Sequence, residues 1–441
     1  MGPQPKRPHS PDWRGSIGAL RLIRPRRLLT INKTLRRRLG TTAGAVAIGL
    51  SAFAFAGAAD VAQKGFSRFS HALPWAPLIA TPLGFLLLAW LTRSQAPLAK
   101  GSGIPQVIAA ARRVDVGALK LISLPVAAWK MVLTLGALMV GASVGREGPT
   151  VQISAAIMSA FQRLVGARLS PAMVIAGGAA GVSAAFNTPL AGVAFAIEEL
   201  ASAYEQRLAV VVMAAVMIAG FVSQGLEGDY IYFGAMHAKL SLLSILLVAP
   251  LAGVVGGVMG ALFSRSMLFI AESTSPFVSA IKQRPLQFAF GCGATVAVAG
   301  YLSGGATWGT GYDAARRMVE GHQEALWFGP VKFVTSLATA ISGIAGGIFA
   351  PSLAVGAGVG NILSLAFPGQ PTGPIVVLGM IAYFVGVVRA PLTGVIIVSE
   401  MTDSRAMLLP LFAAALIADG VSGLVCKQRL YHGLSEGFDR V

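Results

Sequence analysis

Three short segments place glycine, proline and a few polar residues where a chain would turn into a helix. They are Gly101-Ser102-Gly103-Ile104-Pro105, Gly145-Arg146-Glu147-Gly148-Pro149 and Gly347-Ile348-Phe349-Ala350-Pro351. Glycine frees the backbone for a tight turn, and proline suits the first helical turn, where its missing N–H is no loss. A helix start leaves N–H groups unpaired and carries a partial positive charge, so it favours an anion. Ser102 adds a hydroxyl to the first segment. In the second, Glu147 can set its own carboxylate where a free anion would otherwise sit. A proton on Glu147 would weaken that hold and let the side chain swing away, so one residue could be both gate and proton carrier. The third segment is uncharged and offers the backbone N–H groups of Ile348 and Phe349. Taken singly, the first is equally an ordinary capped helix start, the second a structural Arg–Glu pair, and the third a bland helix start.

Other chemistry-bearing residues are few. Glu198-Glu199 ends the apolar stretch that begins at Pro189. Adjacent carboxylates leave a helix on different sides, so one could face a water-filled path and relay protons. Lys130, Lys332 and Arg389 could supply positive potential along a path or snorkel to an interface. Tyr431, in Arg429-Leu430-Tyr431-His432, reads by itself as a boundary aromatic. The histidines His9, His71, His237, His322 and His432 form no metal-binding or hydrolase pattern. No acidic cluster offers a metal site in the apolar core. The expectation is a protein that is not an enzyme, with no cofactor and no metal.

The elements that hold these residues belong to a membrane. The chain has 441 residues, of which 55% are hydrophobic and only 12% charged, against roughly 25% in a soluble domain. Its mean hydropathy is +0.70. Apolar runs cover 41–59, 75–92, 207–224, 240–263, 286–302, 373–388 and 405–425. Several approach the roughly 20 residues that cross a bilayer. Gly253-xxx-Gly257 and Gly256-xxx-Gly260 read as close-packing helix faces. Cys292 and Cys426 are too few for a disulfide framework and read as packing residues.

The second and third segments are also a repeat. Gly145 to Pro149 falls on Gly347 to Pro351 at an offset of 202, and Pro189-Leu190-Ala191-Gly192-Val193 falls on Pro391-Leu392-Thr393-Gly394-Val395 at the same offset. So do Lys130 and Lys332, and Glu198 and Glu400, of which Glu400 reads as structural. Gly309-Thr310-Gly311-Tyr312 follows the first segment at offset 208. In a membrane protein such a repeat marks a transporter fold with substrate held between the halves. Spacing alone leaves parallel and inverted arrangements open.

The expected organisation is a basic tail at 1–39 with a short surface helix around 16–28, a first membrane repeat at 40–225 and a connector at 226–239. A second repeat at 240–425 and a C-terminal helix and tail at 426–441 follow. Residues 1–40 hold eleven Lys or Arg against the single acid Asp12, which is +10 of the formal +17. That asymmetry puts the N-terminus in the cytoplasm, against anionic headgroups rather than nucleic acid. Residues 54–59 resemble a signal-peptide cleavage site, but the long charged region before them favours an uncleaved first helix.

Together the three segments resemble the signature segments of the CLC family of chloride channels and proton-coupled chloride antiporters, in order, over about residues 40–438. The resemblance implies an all-α integral membrane protein of about eighteen helices, many tilted or partial, in two inverted-topology repeats. It implies a homodimer in the lipid bilayer, with one pore per subunit, both termini cytoplasmic, in a bacterial inner membrane. It places Gly101, Ser102, Arg146, Ile348, Phe349 and Tyr431 about the chloride, Glu147 as external gate and Glu199 as internal proton-transfer acid. Ser102 fits members that favour chloride over nitrate, and the fluoride-exporting branch departs from the Gly-Ser-Gly-Ile-Pro pattern. Gln106 stands where a glutamate is common, and the regulatory domains of many eukaryotic members are not expected. The expectation of chloride/proton exchange rests on having both Glu147 and Glu199, and of the two it is Glu199 that favours exchange over a passive channel. A membrane-embedded enzyme lacks a nucleophile or metal pattern, and an amino-acid transporter leaves the three segments unexplained.

Overall fold

A computed structural model describes residues 33–115, 117–200, 206–228, 232–234, 236, 238 and 240–438. The expected surface helix around 16–28 lies outside the described residues. The described residues form helices α1 to α19, of which α4 (Ala118–Leu121) is a single turn.

Sixteen helices form repeat-related pairs. They are α1 (Lys33–Ala72) with α10 (Leu242–Glu272), α2 (Pro77–Ser94) with α12 (Pro285–Leu302), and α3 (Ile104–Arg112) with α13 (Tyr312–Val319). Next come α5 (Leu124–Met139) with α14 (Phe328–Ile341), and α6 (Glu147–Leu164) with α15 (Phe349–Ser364). The last are α7 (Pro171–Phe186) with α16 (Thr372–Val388), α8 (Pro189–Phe195) with α17 (Pro391–Met401), and α9 (Gln206–Glu227) with α18 (Leu408–Val425). Only α11 (Pro276–Gln283), α19 (Leu430–Glu436) and α4 stand outside the pairing. Local chemistry repeats too. Asn187 and Arg389, 202 positions apart, end α7 and α16 in the left-handed conformation at φ 57° and 61°.

The relation between the halves is visible in one hydrogen-bonded bridge. Gly145 N–H donates to Gly347 O and Gly347 N–H donates to Gly145 O, both at 2.8 Å. Two counterparts that bond each other reciprocally lie on a two-fold axis. The bridge is antiparallel, so the axis reverses chain direction and the repeats are inverted. The repeat-related pairs α2 and α12, and α8 and α17, also pack on each other.

Seven described helical segments are long and apolar enough to cross a membrane. Six coincide with apolar runs of the sequence, and the seventh, Ala118–Met139, is broken there by polar residues. The run at 373–388 behaves differently. It forms α16, whose residues from Gly373 to Val388 are all buried in protein. A helix apolar all round is expected at such a centre.

Glycine lets these helices approach. A Cβ on Gly256 would meet Ala382 of α16 at 2.6 Å, and one on Gly257 would meet Ala418 O of α18 at 2.8 Å. Each of the two overlapping glycine ridges on α10 therefore serves a different neighbour. Cys292 and Cys426 are free thiols buried in this packing.

Gly379 is the tightest test of the packing between α15 and α16. A Cβ there would fall 2.5 Å from Gly360 N and 2.6 Å from Gly356 O, both rigid backbone atoms. Gly379→Ala is expected to cost about 1–3 kcal/mol by overpacking. Thermal unfolding in detergent checks this against Gly420→Ala, where a Cβ would meet nothing within 4 Å.

Candidate functional site

Backbone pairing brings the three glycine-containing segments together. Besides the central bridge, Gly101 N–H donates to Ile344 O and Gly346 N–H to Gly101 O, each at 3.1 Å. Gly101 and Gly103 hold φ 68° and 102°, which a side chain would resist. Helices α3, α6 and α15 thus start from one knot at Ile104, Glu147 and Phe349. Their converging N-terminal amides make a region of positive potential without a cation.

Two lysines fix this knot from behind. Lys130 Nζ donates to Gly101 O at 2.8 Å, and Lys332 Nζ donates to Gly309 O at 2.7 Å and Thr307 O at 3.0 Å. Both side chains are fully buried. They neither snorkel to an interface nor line the cavity described next. Carbonyl oxygens partner their ammonium groups, which a buried charge requires. Arg389 is likewise engaged, donating to Asp419 at 3.0 Å and to Lys427 O at 3.1 Å.

A cavity of about 390 Å³ opens beside the knot. Gly101, Ser102, Ile348 and Tyr431 line it, and Arg93, Lys100, Lys282 and Glu272 border it. Ser102 Oγ and Tyr431 Oη are buried without a hydrogen-bond partner among the described residues. Buried hydroxyls rarely go unpaired, so this pair marks a place built to donate. Phe349 supports Tyr431, with ring centroids 6.0 Å apart, and Phe186, Phe195 and Phe384 surround the same Phe349 ring.

Glu147 is fully buried at the start of α6. Its Oε1 accepts a hydrogen bond from Tyr312 at 2.5 Å, and its Oε2 has no partner among the described residues. That oxygen lies over Gly145, where any Cβ would overlap it. The Tyr312 ring packs between Tyr232 and Phe233, at centroid distances of 5.7 and 5.2 Å. Arg146 turns the other way. Its Nη1 donates to Ala56 O at 2.7 Å and Asp60 at 2.9 Å, and its Nη2 to Tyr232 at 3.0 Å. The structure therefore ties Arg146 to α1 and does not bring its guanidinium to the cavity of Ser102 and Tyr431.

The two adjacent acids separate by environment. Glu198 receives the N–H groups of Leu392 and Thr393 at 2.9 and 2.7 Å and the Thr393 hydroxyl at 2.7 Å. It caps α17, the repeat partner of the helix that carries it. Glu199 is fully buried in the single wide turn Ala196–Leu200, with Oε1 3.3 Å from His432 Nδ1. Sequence reasoning missed Tyr312 and His432 as site residues. The only signals were Tyr312's place at the end of Gly309-Thr310-Gly311 and His432's place after Tyr431.

Residues 84–423 match the family described as voltage gated chloride channel. This chain belongs to that family. Among its similar relatives is the H(+)/Cl(-) exchange transporter ClcA of Yersinia pestis bv. Antiqua (strain Angola), 31% identical over 423 residues, 88% of this chain and 85% of the relative. The ClcA of Citrobacter koseri is 31% identical over 381 residues, 80% of this chain and 78% of the relative. Solved structures share the fold. A slow cyanobacterial Cl-/H+ antiporter aligns with a TM-score of 0.77 at 23% identity, covering 91% of this chain and 97% of its own. A CLC-type fluoride/proton antiporter aligns at 0.74 and 22% identity, covering 88% and 95%.

The cap that Glu198 forms has a measurable consequence. Glu198→Ala strips α17 of charge-assisted acceptors at its first amides and is expected to lower stability by about 1–3 kcal/mol. Denaturant or thermal unfolding in detergent checks this. If Glu198 were an exposed interfacial acid instead, the variant would unfold like the parent.

Proposed function

We propose that this protein is a secondary active antiporter that moves chloride across a membrane in exchange for protons, with Glu147 as gate and Glu199 as inner proton carrier. One observation carries the reading. Two buried hydroxyls without a partner among the described residues, Ser102 and Tyr431, line one cavity with Ile348, and the residue after Tyr431, His432, lies 3.3 Å from the fully buried Glu199. Hydrogen-bond donors for an anion beside a buried acid that can carry a proton are what coupled exchange needs and passive conduction does not.

Chloride leaving water needs replacement donors. Ser102 and Tyr431 supply hydroxyls, and the first amides of α15 at Ile348 and Phe349 supply N–H groups. Arg93, Lys100 and Lys282 line the same cavity and add positive potential along it. Gly101 shapes the loop that presents Ser102. Arg146 contributes charge and holds the start of α6 against α1. The Glu147 carboxylate competes with chloride at the helix start, and protonation neutralises it and releases it. Proton arrival and chloride passage are thereby linked through one side chain. The names of the 31%-identical relatives, H(+)/Cl(-) exchange transporters, support the same reading. So do the +10 of residues 1–40 for a cytoplasmic N-terminus, and the bacterial relatives for an inner membrane. The reading includes both termini on the cytoplasmic side and a homodimer with one pathway per subunit.

The test is proton flux in liposomes driven only by a chloride gradient, with voltage clamped by potassium and valinomycin. Uphill proton movement is the expected result, and chloride flux without it would make the protein a channel. Glu147→Ala is expected to abolish proton movement while chloride movement persists, and retained coupling would remove Glu147 from the gate. Tyr312→Phe deletes the hydroxyl that holds the carboxylate in its closed place. Chloride turnover is expected to rise with the exchange ratio unchanged. A charge-assisted hydrogen bond of about 1.5 kcal/mol caps the increase at about tenfold. Unchanged turnover would show that this bond does not restrain the gate.

A further inference from the structure

Glu199 has no solvent-exposed surface, so any proton it carries must reach it through another group. His432 is placed to do this. Its Nδ1 lies 3.3 Å from Glu199 Oε1, within reach for transfer once the two side chains align into a hydrogen bond, and its side chain is 32% exposed while that of Glu199 is 0%. It sits in α19, whose Gly433 and Leu434 line the same cavity as Ser102 and Tyr431. Among the described residues, the other charged or titratable neighbours of Glu199 are Arg429, Glu198 and Tyr431. Arg429 keeps its protons and points Nη1 at Glu198 O, 3.4 Å away. Glu198 has its oxygens committed to α17. Tyr431 is fully buried and cannot collect a proton from water.

Resting on the antiport reading above, we propose that His432 is a proton-transfer residue, the solvent-side entrance of the path that leads through Glu199. Neutral imidazole carrying a proton on Nδ1 takes a second one from water on Nε2. The imidazolium then gives its Nδ1 proton to Glu199 Oε1. One N–H bond breaks, one O–H bond forms, and the carboxylate becomes neutral. The imidazole left with a proton on Nε2 regains its starting tautomer by turning over or by exchange with water. The same steps run backwards when protons leave. Histidine suits the task because its charge changes near neutral pH.

The experiment uses the full chain in chloride-loaded liposomes and compares the parent with His432→Gln, reading chloride and proton fluxes separately. Positioned acid–base groups contribute about 10²-fold or more to proton transfer. His432→Gln is therefore expected to lower proton flux at least about tenfold, with chloride flux within about twofold of the parent. Added imidazole buffer is expected to restore proton flux, which repair of a merely structural defect would not do. If His432→Gln lowers both fluxes, imidazole rescue decides: recovery of proton flux supports the relay, and its absence overturns it. Full proton flux in His432→Gln overturns the relay and leaves antiport standing. No proton flux in the parent overturns the antiport reading, and the relay falls with it.

Discussion

The reciprocal pair of hydrogen bonds between Gly145 and Gly347 is the constraint on which the rest depends. At membrane depth, irregular backbone is tolerated only where its polar groups are satisfied or line a cavity. Breaking helices in the middle of the protein therefore demands partners for every freed amide and carbonyl. The two halves supply them to one another across the axis. Gly101 joins the same ladder through Ile344 and Gly346, and Lys130 and Lys332 cap carbonyls of the loops that precede α3 and α13. Among the buried groups left without a partner in the described residues are the Ser102 and Tyr431 hydroxyls on the cavity wall. The fold thus sets hydrogen-bond donors beside the knot.

Packing around that knot explains the glycine content better than conformational freedom does. Most of the tight approaches are helix against helix: Gly256 on Ala382, Gly257 on Ala418, Gly379 on Gly360. Lipid offers no hydrophobic drive between helices, so close contact supplies the stability. The same closeness immobilises α15 and α16, and with them the Phe349 ring that supports Tyr431. Within that frame Glu147 is held lightly, since one carboxylate oxygen accepts from a single tyrosine and the other has no partner among the described residues.

Much of this was legible in the sequence, and the reasons for the rest are physical. The offset of 202 predicted the helix starts at Glu147 and Phe349 and at Pro189 and Pro391, because glycine and proline determine local geometry by themselves. The inversion was not legible from spacing, since identical offsets serve either arrangement until the bridge is seen. The run at 373–388 was one apolar run among seven, and its burial in protein was not legible because hydropathy cannot tell lipid from protein interior. Arg146 and Glu147 are neighbours in sequence and diverge in space, since successive residues at a helix start point in different directions. The family resemblance singled out Glu199, but only tertiary contacts showed Glu198 capping α17 and brought Tyr312 and His432 to their acids.

The symmetry of the frame makes the asymmetry of the chemistry informative. At the knot the counterparts share backbone roles but not side chains: Glu147 corresponds to Phe349 and Arg146 to Ile348 at offset 202, and Ile104 to Tyr312 at offset 208. The second half carries no charge at its knot and has there the aromatic ring that packs on Tyr431. It also placed a hydroxyl, on Tyr312, against the carboxylate of the first half. A symmetric pair of charged knots would put two carboxylates at one axis, where like charges at short range oppose each other strongly. One charged and one uncharged knot avoids that repulsion, and it gives the pathway a direction that the backbone alone does not have.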